Sequence, residues 1–296
     1  MRLSTIALSL PALLISVGQV HATEGGGSTF PTGAENYLVA AVPPPGFYFL
    51  FYGNAYSADE LRNNNGDAIP IPGFKVKVTA AIVRLIWSTP QQFMGGNLAY
   101  HVVLPAVDLK VSAAGASQHK TGLGDIILGP ALAHHFSPQL HSVLGLDFVL
   151  PTGGYHQADL ANIGRNTVSV QPLYGVTYVN PTGFNGDIRL TLNFSRKNGA
   201  TQYRSGNEAF IDYAAGYGLG NGWTVGLGGY ARQQFSDDRL NGAALADTRA
   251  RAFAVGPSVR YDNGKGWFIT AKLQQETAVR NATQGRAFWL KTIIPF

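Results

Sequence analysis

Between Phe184 and Arg196 the chain alternates without a slip. Ile188, Leu190, Leu192 and Phe194 share one parity, while Asp187, Arg189, Thr191, Asn193 and Ser195 share the other. Side chains two apart project to the same side of a strand, so this stretch predicts a strand with one apolar and one ionic face. The rhythm returns in 223–234, where Trp223, Val225 and Leu227 oppose Thr224, Tyr230, Arg232 and Gln234. It returns again in 266–278, where Ile269 and Leu273 oppose Thr270, Lys272, Gln274 and Glu276. An apolar face needs a cover. In a soluble protein of 296 residues the outer surface would be charged, yet Asp, Glu, Lys and Arg make up only 13%, against roughly 25% in an average soluble chain. Beyond the first 22 residues no apolar run approaches the roughly 18–20 residues that a membrane-crossing helix needs. Low charge, 36 glycines, 11% aromatics and no spanning helix together predict an all-β transmembrane barrel, in which only every second residue meets lipid.

Turn signals divide the chain into strands over 46–57, 73–87, 97–111, 123–136, 139–151, 166–179, 184–196, 207–219, 223–234, 250–262, 266–278 and 285–296. That is an antiparallel up-and-down barrel of about 12 strands, with both termini on one side. The even connections are mostly tight ("SPQ", "NPTG", "GNG", "DNGK"), with "STPQQFMGG" the least so. The odd ones are longer and polar: "ADELRNNNGDAIPIP", "SAAGASQHK", "TGGYHQADLANIGR", "RKNGATQYRSGNE" and "FSDDRLNGAALADTR", with a short last one near Asn281. Outer-membrane barrels have this asymmetry of short periplasmic turns and long outer loops.

A charged Lys or Arg at the bilayer midplane costs about 2–4 kcal/mol on a lipid-facing strand, so the ionic face is expected to line the lumen. This gives a predicted lumen set of Asp147, Asp187, Arg189, Asp212, Arg232, Arg260, Lys272, Glu276 and Lys291. Rings of such charges can set the selectivity of a pore, or can pair and simply fill the interior; both readings stay open. In 73–87, Lys75 and Lys77 have the opposite parity to Arg84, which predicts either a bulge or a place near the rim. Aromatics gather near the predicted strand ends, among them Phe47, Tyr48, Tyr52, Tyr56, Trp87, Trp223 and Phe268, as expected of rings at a membrane–water interface.

The start, "MRLSTIALSLPALLISVGQVHA", joins a basic residue, an apolar core and small residues at Val20 and Ala22, which predicts a cleaved signal peptide over 1–22 and export to the outer membrane of a Gram-negative bacterium. Residues 23–45 are Gly-rich and end in three prolines. They form an N-terminal extension that either lies in the barrel mouth as a plug or hangs as a periplasmic tail. The barrel itself is expected over 46–296.

Several stretches resemble the MetA-pathway phenol-degradation family of outer-membrane proteins. They are "EGGGSTFPTGAENY", "VPPPGFYFLFY", "GLGDIILGP", "LPTGGY" with "NIGRN", "YRSGNEAFIDYAAGY" and "VGPSVRY", running from about Glu24 to the C-terminus. The resemblance implies passage of hydrophobic or aromatic molecules across the outer membrane, with outer-membrane lipid and a small hydrophobic solute as partners. The last strand, with Phe288, Leu290, Ile294 and the terminal Phe296 on alternate positions, resembles the signal read by the outer-membrane insertion machinery.

Other chemistries find little support. There is no cysteine, hence no thiolate nucleophile or cysteine-ligated metal. The histidines beyond the leader (His101, His119, His134, His135, His141 and His156) cluster in sequence, but His134 and His135 point to opposite faces of a strand and His119 and His156 fall in predicted loops, so no metal site is expected. "HHFS" sets His135 and Ser137 on one face, but Ser137 lies in a turn and no G-x-S-x-G elbow occurs, so neither a lipase nor any other enzyme, and no cofactor, is expected. The glycines of "GLGDIILGP" lack the G-K-[ST] of a phosphate loop and read as bends or close backbone approaches. A formal charge of +5 without a basic, aromatic-rich helix gives no case for nucleic acid. The expected function is a passive channel for small hydrophobic or aromatic compounds, the alternative a closed structural or adhesive barrel with functional loops.

Overall fold

The computed structural model describes residues 27–295. The predicted signal peptide and the terminal Phe296 lie outside them. In chain order the strands are β1 (Gly46–Arg62), β2 (Lys75–Phe93), β3 (Gly96–Ala113), β4 (Ala116–Leu123), β5 (Ile126–His135), β6 (Leu140–Leu150), β7 (Ser169–Tyr178), β8 (Phe184–Ser195), β9 (Tyr203–Arg204), β10 (Glu208–Gly218), β11 (Trp223–Gln234), β12 (Arg239–Leu240), β13 (Ala243–Ala244), β14 (Arg251–Asp262), β15 (Phe268–Arg280) and β16 (Ala282–Pro295). The short β9, β12 and β13 pair with each other in the loops. β4 and β5 are two halves of one stave: both pair with β3, and the break falls at Gly124–Asp125. The result is a closed antiparallel barrel of 12 staves. Closure runs through β1, which pairs with β2 on one side and, from Tyr48↔Pro295 to Arg62↔Ala282, with β16 on the other. The last strand therefore has no free edge.

The two faces of the wall differ as the alternation requires. On β8, Asn185, Asp187, Arg189, Thr191, Asn193 and Ser195 are all buried, whereas Ile188 is 50% and Leu190 40% exposed. The same inversion of a soluble core, polar within and apolar without, holds on β11 and β15. Phe288 and Ile294 face outward on β16, while Ala287, Trp289, Lys291 and Ile293 face inward.

Three expectations need correction, and one left open between two readings is decided. "STPQQFMGG" is a tight connection: β2 continues to Phe93, and Met94 and Gly95 turn with φ of 48° and 79°. "SAAGASQHK" is not a long loop either, because Ala114 and Gly115 turn with φ of 50° and 85°. Two successive positive-φ residues give the twist that fits a two-residue hairpin, and the flanking strands can then pair to the tip. Of the two readings of Lys75 and Lys77, the structure takes the place near the rim. The β2–β3 ladder runs unbroken from Lys75↔Ser112 to Ser88↔Ala99, so no bulge separates them from Arg84. The lysines point outward on a rim that rises above the apolar belt. Last, Tyr48, Tyr52, Tyr56 and Phe268 share the inward parity of Leu50 and Lys272; Tyr52 and Phe268 are buried, and these rings serve the interior. Phe47, Trp87 and Trp223 do stand outward at the short-turn end, where Phe47, Trp87 and Tyr100 have successive centroids 5.9 and 5.7 Å apart, and Trp223, Tyr261 and Trp267 lie at 5.0 and 6.1 Å.

The long connections 63–74, 151–168, 196–207 and 235–250 all leave from one end, which is the outer end by the rule for such barrels. Leu190→Arg, placing a cation mid-strand on the lipid face, is expected to cost about 2–4 kcal/mol. Urea titration in detergent or lipid checks this, with Leu190→Ile as the conservative comparison; equal stability of Leu190→Arg and the parent would contradict the assignment of this face to lipid.

Candidate functional site

A barrel of this girth is wider than the smallest ones, whose own side chains fill the bore. Here the chain supplies the filling. The segment 27–45 descends through the lumen from the outer end to the start of β1. Near the top, Ser28 donates to Glu208 (3.1 Å), Thr29 donates to Asn193 (3.2 Å), and Phe30 stacks on Phe210 with centroids 4.5 Å apart. Lower down, Asn36 accepts from Thr270 (3.0 Å), the Val39 N–H donates to Asp187 (3.0 Å) and the Ala40 N–H donates to Thr177 (3.0 Å). Tyr37 and Ala40 have no exposed surface.

The centre of this arrangement is Glu35. Its carboxylate accepts from Tyr52 on β1 (3.1 Å), Arg84 on β2 (3.1 Å), Arg189 on β8 (3.2 Å) and Lys291 on β16 (3.2 Å). Lys272 on β15 donates to the backbone carbonyl of the same residue. Asp147 extends the network: it lies 3.6 Å from Arg189 and 2.7 Å from His101, whose other ring nitrogen is 2.9 Å from the Arg84 Nε. A single carboxylate on the lumenal segment thus ties together staves from opposite parts of the wall.

All nine residues of the predicted lumen set face inward and are buried, and the structure sorts them by depth. Arg189, Lys291, Lys272 and Asp147 belong to the Glu35 crossbar, and Asp212 lies directly opposite Arg189 in the β8–β10 ladder. Arg232 and Glu276 form an outer group: Arg232 pairs with Glu208 (2.7 Å), and Glu276 accepts from Tyr56 (3.0 Å), Tyr230 and the Gly285 N–H (2.6 Å). Asp187 and Arg260 form an inner group, where Arg260 lies over the Tyr37 ring at 5.7 Å and donates to Thr224 (3.2 Å). Four members escaped the sequence reading. Glu35 sits in a segment without periodicity, Arg84 in the strand of conflicting parity, Glu208 at a strand's first residue, and His101 among histidines whose clustering points to metal rather than to an ion pair. His135 and His141 meet at the short-turn end, with Nδ1 atoms 2.7 Å apart.

Above the crossbar is a cavity of about 310 Å³. Its floor is Phe30 and Pro31, and its walls include Val78, Ile82, Val103, Val107, Ile127 and Trp289. The charges at its edge are matched within the protein, as Glu276 and Arg232 show. Two hollows of about 40 and 30 Å³ continue downward beside the segment, sharing Arg84, His101, Asp147 and Arg189. The outer loop 151–168 leans over this mouth: Gln118 (2.8 Å) and Lys120 donate to Asp159. The Lys120 bond, then that of Gln118, hold the Asp159 carboxyl below its ordinary range. Asp125, at the break between β4 and β5, accepts from the Gly153 and Arg165 N–H groups and fixes both ends of the same loop. In β5, Gly129 sits where a Cβ would lie 2.1 Å from the Leu146 carbonyl oxygen, a close approach of backbones.

Closed antiparallel staves, an apolar outer wall, a polar bore and one end of long loops define an outer-membrane β-barrel. The family model described as "Putative MetA-pathway of phenol degradation" matches residues 58–292, and the chain belongs to this family. Among solved structures it is similar to the COG4313 outer membrane channel from Pseudomonas putida F1, at 18% identity and a TM-score of 0.76, over 86% of this chain and 97% of that one. It is also similar in fold to the beta domain of the Bordetella autotransporter BrkA, at 12% identity and a TM-score of 0.50, over 86% of this chain and 100% of that one. No curated protein matches it.

Because Glu35 balances three cations, Glu35→Gln leaves buried charges unmatched, which typically costs about 3–5 kcal/mol. The thermal midpoint of the folded barrel is expected to fall clearly, and Asp59→Asn on the outer part of β1 to leave it unchanged. A Glu35→Gln barrel as heat-stable as the parent would show that the crossbar does not anchor the segment.

Proposed function

We propose that the protein is a passive outer-membrane channel for small hydrophobic or aromatic compounds, and that residues 27–45 are its plug. The observation that carries this reading is the apolar chamber of about 310 Å³ that opens toward the outer loops and is floored by that segment. A cavity of ~150 Å³ lined by apolar side chains is enough to hold benzene. The chamber is thus large enough for one or two rings, and the charges at its edge already have partners in the wall, Arg232 in Glu208 and Glu276 in Tyr56, Tyr230 and the Gly285 N–H, so an uncharged guest displaces no ion pair. The family's association with phenol degradation agrees with such a cargo. Below the chamber, the route beside the plug narrows at Arg84, His101, Asp147 and Arg189, which makes this quartet the constriction. The lumen charges then act mainly by holding the plug and only locally as a filter. Phe288, Leu290 and Ile294, which share the outward parity of β16, serve with Phe296 as the signal read by the insertion machinery.

Passage requires the plug to shift or loosen. Planar-bilayer recordings are expected to give rare, small openings for the parent and larger, longer ones for Glu35→Gln. The chain has no native cysteine, so a single engineered pair can lock the plug. Ala40→Cys with Thr177→Cys is expected to lose openings on oxidation and regain them on reduction. Cells with and without the gene, compared for uptake of labelled neutral monoaromatics, test the cargo; equal uptake, together with silent bilayers for every variant, would favour the closed structural barrel.

A further inference from the structure

The outward surface of the long-loop end has a feature that transport does not use. Arg204 in β9 and Arg239 in β12 are direct partners across an antiparallel pair. Like charges in that position destabilise a strand pair. Among the described residues no carboxylate lies within ion-pair distance of either one; Arg204 spends its Nε on the Ser195 carbonyl (3.2 Å). Arg249 joins them around one hollow of about 370 Å³ and holds Asp237 with two bonds of 2.8 and 3.2 Å. The hollow therefore sets three guanidinium groups against one carboxylate.

Its depth is marked by two rings. Phe235 lines the hollow and is 44% exposed, and it meets Phe194 edge-on at 6.4 Å. Phe194 shares the outward parity of Ile188 and Leu190, so the guanidinium groups stand just above the apolar belt, on the outside of the wall rather than in the mouth. Aromatic rings at this level border the headgroup layer. Two further ladders repeat the motif at the same end: Lys77 opposes Lys110, and Arg251 opposes Arg280. At the short-turn end no two cationic side chains oppose each other in this way among the described residues. A stretch of surface that tolerates paired cations only on one rim is complementary to a layer of anions on that side.

We infer that the Arg204–Arg239–Arg249 hollow is a docking site for the phosphate groups of outer-leaflet glycolipid. A phosphate offers three acceptor oxygens on a double charge, and the planar fork of arginine matches it with two parallel bonds. One phosphate seated between Arg204 and Arg239 would offset their mutual repulsion and fasten the β9–β12 loop sheet to the membrane surface. The acyl chains of the same lipid would lie against Phe194 and Phe235. This rests on the outer-membrane placement of the barrel and not on what the lumen carries.

Native mass spectrometry of the detergent-solubilised full barrel tests it with three probes: a bis-phosphorylated lipid A, its dephosphorylated form and inorganic phosphate. The parent is expected to retain the bis-phosphorylated lipid at least tenfold better than the Arg204→Gln/Arg239→Gln variant, and to bind the other two weakly. Heat-modifiable migration on gels confirms that the variant is folded. Should it misfold, Arg204→Lys/Arg239→Lys keeps the charge but loses the fork, and retention between the extremes is expected. Equal retention by parent and folded variant would overturn the site. Inorganic phosphate binding as tightly as the lipid would overturn the lipid assignment and point to a free anion. Neither result bears on conductance, so failure here leaves the channel reading untouched.

Discussion

The carboxylate of Glu35 is the contact on which the interior depends. Tyr52, Arg84 and Lys291 stand on the neighbouring staves β1, β2 and β16, Arg189 stands on β8 across the bore, and a group on the axis reaches both sides. Without it the bore would hold Arg84, Arg189, Lys272 and Lys291 facing one another, balanced chiefly by Asp147 and Asp212. Buried cations need partners, since the cost of removing them from water is several kcal/mol each. The segment 27–45 thus completes the charge balance of the wall as well as filling its volume.

That dual role has a mechanical consequence. A plug held only by apolar packing would be hard to shift in small steps. One held by hydrogen bonds and ion pairs can exchange them for water one at a time if water enters the bore. The apolar chamber sits on the outer side of this polar waist, where a ring-shaped guest would arrive from the medium. An uncharged guest gains from burial in the chamber at about 25 cal/mol per Å² of apolar surface and then meets the constriction. In the proposed channel, chamber and waist would divide the work, one gathering apolar matter and the other resisting leakage.

The outside of the barrel obeys a separate logic. Rings at the short-turn end stack across neighbouring strands, Phe47 on Trp87 and Trp87 beside Tyr100. At the other end the border is marked by Phe194 and Phe235, with basic side chains above it. The two rims of the wall thus carry different side chains.

Much of the architecture was legible in the chain. A strict two-residue period fixes which side chains share a face, and the penalty for charge in lipid fixes which face is inward, so the lumen positions of Asp187, Arg189, Arg232 and Lys272 follow from sequence. Strand ends were less legible: Met94–Gly95 and Ala114–Gly115 turn in two residues within stretches that read as loops, because a single positive-φ pair lets strands pair to the tip. The parity of Tyr52 and Tyr56 already places both rings on the inward face, because register and not distance from a strand end decides the side. What only the tertiary structure decided is the path of residues 27–45. That segment has no periodicity, and its place is set by partners between 17 and 256 residues away, from Tyr52 to Lys291. The sequence by itself determined a wall, because a wall is a local repeat; the plug and its Glu35 crossbar were decided by long-range charge pairing that exists only once the wall has closed.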